Sequence, residues 1–265
     1  MKREYVKNGL MGILALLCAA SRFVPGAEQA PLLSAPPLLM GAATHSADST
    51  IASVTTEVKT GVAARIDSAL HAFSSAVRPL SHPKALETAF SSYFNYVNAH
   101  PDAVRKPYLY FVDYGLPSTE PRGYVFDMKS MSIVEGPFTV AHGRGSSTSR
   151  YGIPTRFSNG FGSAMTSLGL YVAQELYRFT GHTAGSTYSS LGLRLQGVTP
   201  GYNDNARARG VVAHGAPYVS PTKAGRSEGC PAMEQSRAQH VLPELANGGM
   251  VFLFSPNSSL VASAN

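Results

Sequence analysis

From Pro107 onward the chain stops reading as helix. Two runs, Tyr108-Leu109-Tyr110-Phe111-Val112-Asp113-Tyr114 and Gly123-Tyr124-Val125-Phe126-Asp127-Met128, are dense in aromatic and β-branched residues and are separated by Gly and Pro. Such side chains suit a pleated surface, and the breakers between them allow turns. Ser132 to Ala141, Leu193 to Gly197, Val211 to Ala213 and Met250 to Phe254 share the character and read as further short strands. Ser167 to Tyr177 satisfies two periods at once. Leu168, Leu170 and Val172 alternate as in a strand, while Leu168, Tyr171, Val172 and Glu175 suit a helix; Gly169 and Gly181 favour a hairpin strand.

Helices flank this strand-rich region. Val62, Ile66, Leu70, Phe73 and Val77 recur at helical spacing until Pro79. A second helix is expected from Pro83 to about Asn98, through Leu86, Phe90, Tyr93, Phe94 and Val97, with Pro101 beyond its end. A third runs from Glu234 to Ala246 and is broken by Asn247-Gly248-Gly249. The fold class is α+β and strand-rich, with two N-terminal helices.

Charged residues make up 14% of the sequence, against roughly a quarter in an ordinary soluble domain. A surface covered instead by Ser, Thr, Asn, Gly and Tyr suits an exported protein. The N-terminus agrees: Lys2, Arg3 and Lys7 precede the apolar run Leu10 to Ala20, and small residues follow. That order is the order of a secretory signal, and the run is shorter than the roughly 20 residues a membrane span needs. Residues 1–20 are therefore expected to be a signal peptide, cleaved between positions 20 and 27, leaving no transmembrane span. Residues 21–60, rich in Ala, Pro, Ser and Thr, read as a flexible linker, and 61–265 as one domain with its helices in 61–100.

Cleavage after Ala20 would take the net charge from +6 to +4, by removing Lys2, Arg3 and Lys7 together with Glu4. No basic run with interleaved aromatics is present, which argues against a nucleic-acid partner. A mildly basic exported protein suits an anionic wall or membrane surface. The large Leu16-Leu17 pair before Cys18 argues against lipidation there. If Cys18 leaves with the signal, Cys230 is the only thiol left and cannot form an internal disulfide. A lone thiol in an exported chain is a candidate reactive group.

Cys230 lies in Ser227-Glu228-Gly229-Cys230-Pro231, a polar glycine turn rather than the apolar run that would hold a structural cysteine. Gly229 permits a sharp turn in which the Gly229 and Cys230 amides face an attacked carbonyl oxygen as an oxyanion hole. His214 stands where the Val211-Val212-Ala213 strand gives out, sixteen positions before Cys230, and is the candidate base. His142 repeats the strand–His–Gly arrangement and is a second candidate, lining the substrate cleft. Two His and a Cys can bind zinc, but neither HExxH nor CxxC spacing occurs, so no metal is expected.

With these residues in place, the sequence resembles the L,D-transpeptidase catalytic domain family (the YkuD type), in its murein L,D-transpeptidase subgroup. The resemblance rests on His142 to Ser146, Phe157-Ser158-Asn159, Ser167 to Gly169, His214-Gly215, and Gly225-Arg226-Ser227-Glu228-Gly229-Cys230-Pro231-Ala232, all in order. It covers roughly residues 105–255. It implies a β-sandwich catalytic domain, no cofactor, and peptidoglycan stem peptides as partners in a bacterial periplasm or envelope. Cys230 would attack the carbonyl between diaminopimelate and a terminal D-alanine, assisted by His214 and the Gly229 and Cys230 amides. The thioester would pass to an amine, giving a 3-3 cross-link, or to water, giving L,D-carboxypeptidase activity. Gly215, Arg226, Ser227 and His142 are the expected substrate-side residues. Two positions depart from many members: Glu228 stands where His is common, and Ala232 where Arg or Asn is common. Arg226 is the expected stand-in for the missing cation.

Overall fold

The most apolar segments of the sequence meet at the middle of one sheet. The computed structural model describes residues 47–183 and 185–260, with side chains from residue 60 onward. Helices α1 (Ala47–Phe73) and α2 (Ala85–Ala99) come first, then β1 (Tyr108–Asp113), β2 (Gly123–Asp127), β3 (Ser132–Phe138) and β4 (His142–Gly143). A long hairpin follows, β5 (Gly169–Thr183) and β6 (Ser186–Gly197). After it come β7 (Val212–Gly215) and the short strands β8 (Val219–Ser220), β9 (Lys223–Ala224), β10 (Arg226–Ser227) and β11 (Ala232–Met233). Helix α3 (Gln235–Leu245) and β12 (Met250–Phe254) complete the order.

Eight strands form the main sheet in the order β11-β7-β6-β5-β12-β1-β2-β3; β10-β4 and β8-β9 are separate two-stranded sheets. The pairs β1–β12 and β7–β11 are parallel, and the remaining pairs of the main sheet are antiparallel. Strands β1 and β12 and the first residues of β5 (169–173) lie inside, covered on both faces, which is why these stretches run apolar without polar alternation. Leu109, Phe111, Tyr124, Phe126, Leu170, Val172, Met250, Phe252 and Phe254 share a core with α1 and α2. On the other face Tyr110, Val112, Val125, Tyr171, Ala173, Val251 and Leu253 pack with α3 through Ala238, Val241, Leu242 and Leu245. The architecture is α+β and strand-rich.

All the described residues fall in one compact unit. The expected signal segment and most of the linker lie outside them. Helix α1 begins at Ala47, ahead of the boundary expected at residue 61, so the linker reading does not hold for 47–60. The spacing of Ile51, Val54 and Val58 continues the Val62–Ile66–Leu70 stripe backward. Among the described residues no helix is long and apolar enough to cross a membrane.

Candidate functional site

The chain leaves β7 beside His214 and returns to it. β10 runs parallel to β4, pairing Arg226 with His142 and Ser227 with Gly143, and β11 runs parallel to β7, pairing Ala232 with His214. The His214 N–H donates to the Pro231 carbonyl at 3.4 Å. Cys230 is therefore two residues upstream of the position facing His214, its Cα on the order of 8 Å away at ordinary strand spacings. These pairings bring together the two groups that the sequence separates by sixteen positions.

The turn carrying the thiol is built from backbone. Gly229 has φ +128°, and a Cβ there would stand 2.8 Å from the Met165 carbonyl oxygen. A Cβ on Gly143 would meet the Gly229 Cα at 2.9 Å. Two glycines thus stack β4 directly under the turn. Ser227 closes it: its Oγ donates to the Cys230 carbonyl at 2.7 Å and accepts the Gly229 N–H at 3.1 Å. The Gly229 amide is thereby committed inside the turn and does not serve as an oxyanion donor in this conformation. The Cys230 amide has no protein acceptor among the described residues and faces no such restriction.

His214 is buried, 3% exposed. Its ring stacks on Phe179, with centroids 4.2 Å apart. Its Nδ1 lies 3.0 Å from the Gly215 carbonyl oxygen, so the neutral ring donates there and leaves Nε2 as the acceptor. Burial lowers the pKa to about 4 against the smaller opposing effect of that hydrogen bond. Cys230 is a free, partly exposed thiol. Burial raises its pKa, while the Val212 N–H and the Arg209 charge pull it down and Glu228 pushes it up. Near neutral pH both groups rest uncharged. Such a pair can act as nucleophile and general base, with the proton passing to Nε2 as sulfur attacks.

The other expected site residues are distributed differently. His142, expected to line the substrate cleft, has no exposed surface in this conformation. Its Nδ1 accepts from Arg122 Nη2 at 3.0 Å, which leaves the proton on Nε2, a buried atom without a partner among the described residues. Burial first, then Arg122 and Arg226, lower its pKa to about 3. Gly215 and Ser227 also face inward rather than toward substrate. A Cβ on Gly215 would strike Ser190 Oγ and Ala238, and the Ser227 hydroxyl is consumed by the turn. Arg226 remains half-exposed, its Nη1 3.3 Å from the Ser147 carbonyl. Ala232 is fully buried in a small apolar cluster, which leaves no room there for a cationic side chain.

Three contributors escaped the sequence reading. Arg209 donates to the carbonyls of Ser158 and Met165 and to Ser163 Oγ, tying the 158–165 loop beside the turn. Phe179 caps the imidazole. Arg122, fully buried, donates to the carbonyls of Val140 and Leu116 and stacks 4.7 Å over Tyr114. No local motif marks any of them; only the alternation of β5 could have placed Phe179 on the His214 side. Among the described residues no cluster of three or more His, Cys, Asp or Glu could hold a metal.

Fold and site define a strand-rich α+β domain with a thiol and a neutral imidazole on neighbouring chain segments. A model of the L,D-transpeptidase catalytic domain matches residues 79–254, a span that contains α2, every strand and both groups. The chain belongs to the L,D-transpeptidase catalytic domain family. No curated protein matches it. Among solved structures it is similar to an L,D-transpeptidase from Mycobacterium smegmatis, at 14% identity, 56% of this chain, 58% of that chain and TM-score 0.31. One from Mycobacterium tuberculosis gives 18%, 56%, 57% and 0.31, and one from Xylanimonas cellulosilytica 13%, 60%, 68% and 0.33. The chain spans less than two thirds of the two mycobacterial proteins.

Proposed function

We propose that this protein is an exported cysteine transpeptidase acting on peptidoglycan stem peptides in a bacterial envelope. The observation that carries the reading is the parallel pairing of β11 with β7, which sets the turn carrying Cys230 two residues from the position opposite His214, a neutral imidazole tethered at Nδ1 to Gly215. Membership of the L,D-transpeptidase family supplies the substrate class. The low charge content and the basic-then-apolar N-terminus support export.

In the proposed reaction, Cys230 Sγ attacks the carbonyl between the third stem residue and terminal D-alanine. His214 Nε2 takes the thiol proton, and the Cys230 amide donates to the developing oxyanion. Collapse breaks the C–N bond, the proton passes from Nε2 to the departing amine, and D-alanine leaves a thioester on Cys230. An amine of a second stem then attacks, the C–S bond breaks, and the thiolate regains a proton. Water in place of the amine gives L,D-carboxypeptidase activity from the same intermediate. Arg226 contributes a cation on the substrate side.

Intact-mass measurement after incubation with a stem tetrapeptide tests this directly. The expected result is an adduct on the wild-type protein that loses D-alanine on forming and resolves with an added amine or with water. D-alanine release by the Cys230→Ala variant would overturn the assignment. An envelope-binding role without turnover would instead show as wall binding with no adduct at any time.

A further inference from the structure

Three guanidinium groups surround one cavity beside the cysteine turn. Arg144, Arg150 and Arg226, with Thr183 and Tyr218, line a space of about 220 Å³. At roughly 30 Å³ per water, that is room for roughly seven waters, ample for a carboxylate and its neighbouring atoms. We propose that this pocket recognises a free carboxylate of the donor peptide, and that Glu228 presets its charge by occupying Arg144. This deepens the stem-peptide reading and rests on it.

The charge balance supports an anionic occupant. Glu228 accepts from Arg144 Nε at 2.6 Å, the one carboxylate paired with any of the three arginines among the described residues. Among the described residues the Arg226 side chain donates to the Ser147 carbonyl and pairs with no carboxylate, and Arg150 stacks 5.4 Å over Tyr151. Two positive charges thus remain around the cavity without a counterion. Like charges held together repel unless an anion joins them, and guanidinium groups match a carboxylate through paired donors.

The framework fixes the pocket relative to the thiol. Arg226 lies in β10, four residues before Cys230, and the Arg144 N–H donates to the Ser227 carbonyl at 2.7 Å. Both arginines are therefore anchored to the chain segment that positions the nucleophile. Tyr218 lines the pocket and is braced by Tyr188, which it meets edge-on at 6.4 Å. Thr183, at the end of β5, also lines it. An occupant here would be held by the same chain segment that carries the nucleophile. A stem tetrapeptide offers two suitable carboxylates, one on terminal D-alanine and one on the third-residue side chain.

The test compares tetrapeptides with both carboxylates free, with the C-terminus amidated, and with the side-chain carboxylate amidated. D-alanine (or its amide) release is followed for the wild type and Arg150→Gln. In the wild type, amidation of the recognised carboxylate should lower kcat/KM roughly tenfold or more, as for loss of a charge-assisted pair. Whichever amidation does so identifies the source. In Arg150→Gln, the free-acid peptide should fall to the level of that amide and the amide should change little. Equal rates on all three peptides in the wild type, or a preference that survives in the variant, would overturn the proposal.

Calorimetric binding of the same peptides to the Cys230→Ala protein reads the pocket without turnover. If the wild type proves inactive while this binding still discriminates free acid from amide, the transpeptidase reading falls and the pocket stands. If turnover occurs without discrimination, the pocket falls and the transpeptidase reading stands. Glu228→Gln should raise affinity for the free acid by releasing Arg144; an unchanged or lower affinity counts against the presetting role.

Discussion

His214 Nδ1 is tied to the carbonyl oxygen of Gly215, the next residue along the same strand, at 3.0 Å. The bond decides which nitrogen faces the reaction, and it also fixes how acid affects the site. With Phe179 over the ring, burial drives the imidazole pKa down to about 4, so the base is unprotonated through the whole neutral range. The acid limb of kcat/KM is expected near pH 4 rather than near 6.5, the value of an ordinary histidine. A pH–rate profile on a stem peptide checks this; an acid limb at 6 or above would show that the ring is solvated in the working enzyme.

The same histidines predict how stability responds to acid. His214 and His142 are both held below their ordinary value, at about 4 and about 3. The folded state therefore resists protons that the unfolded chain accepts below about pH 6.5. Their stabilising contribution is complete above that pH and is lost as pH falls toward 4 and 3. Urea midpoints should decline steadily from pH 7 to pH 4, and the His142→Gln variant should make that decline shallower throughout and remove the histidine-linked fall below pH 4.

Gly229 is the most conformationally demanding residue of the turn. Alanine there must adopt φ +128° and place its Cβ 2.8 Å from the Met165 oxygen. Strain of about 1–3 kcal/mol is small beside the stability of most domains but large for a turn that aims a nucleophile. Gly229→Ala should remain folded, with a melting temperature lowered by roughly 2–12 °C, while the rate of thioester formation falls on the order of a hundredfold. Equal losses in stability and rate would instead assign Gly229 a purely structural role.

What the sequence disclosed depended on how many faces an element buries. β1 and β12 are covered on both faces, so their apolar runs survive any choice of register. The hairpin extends well past Tyr177 and starts before Leu193, because its outer half alternates toward solvent through Arg178, Thr180 and His182. Strands β4 and β8 to β11 have two residues each, too few to express a period. The same shortness hides the burial of His142, Ser227 and Gly215 from a reading of the sequence. A His-Gly or Ser-x-Gly phrase names residue types near a site, but the pairing of β4 with β10 and of β7 with β11 decides which side chains turn inward. Cys230 and His214 stood out because their chemistry needs no register to be recognised.

Arg122 shows what a buried cation contributes away from the reaction. Burial brings its pKa down to about 10, so it remains charged at neutral pH while donating to Val140, Leu116 and His142. Replacing it with methionine removes the desolvated charge but leaves three acceptors without a donor, at about 1 kcal/mol or more each. The acceptors win, and Arg122→Met should lose about 2–4 kcal/mol in urea unfolding. Arg122→Lys should not restore it, since one ammonium on a flexible stem cannot reproduce the planar fork.

Arg209 acts on the thiol both by charge and by geometry, and the two can be separated. Its guanidinium lowers the Cys230 pKa against the upward pull of burial, and its hydrogen bonds to Ser158, Ser163 and Met165 hold the loop on which Gly229 rests. Removing the positive charge disfavours the thiolate, so Cys230 in Arg209→Met should titrate higher still. Iodoacetamide alkylation at pH 8 should slow by roughly three- to tenfold, because only the thiolate reacts. Arg209→Lys keeps the charge and loses the fork, so its alkylation should stay close to wild type while its turnover drops with the loosened loop. Alkylation that speeds up in Arg209→Met would mean that the loop's shielding of the sulfur outweighs the cation, and that Arg209 matters to Cys230 as a clamp alone.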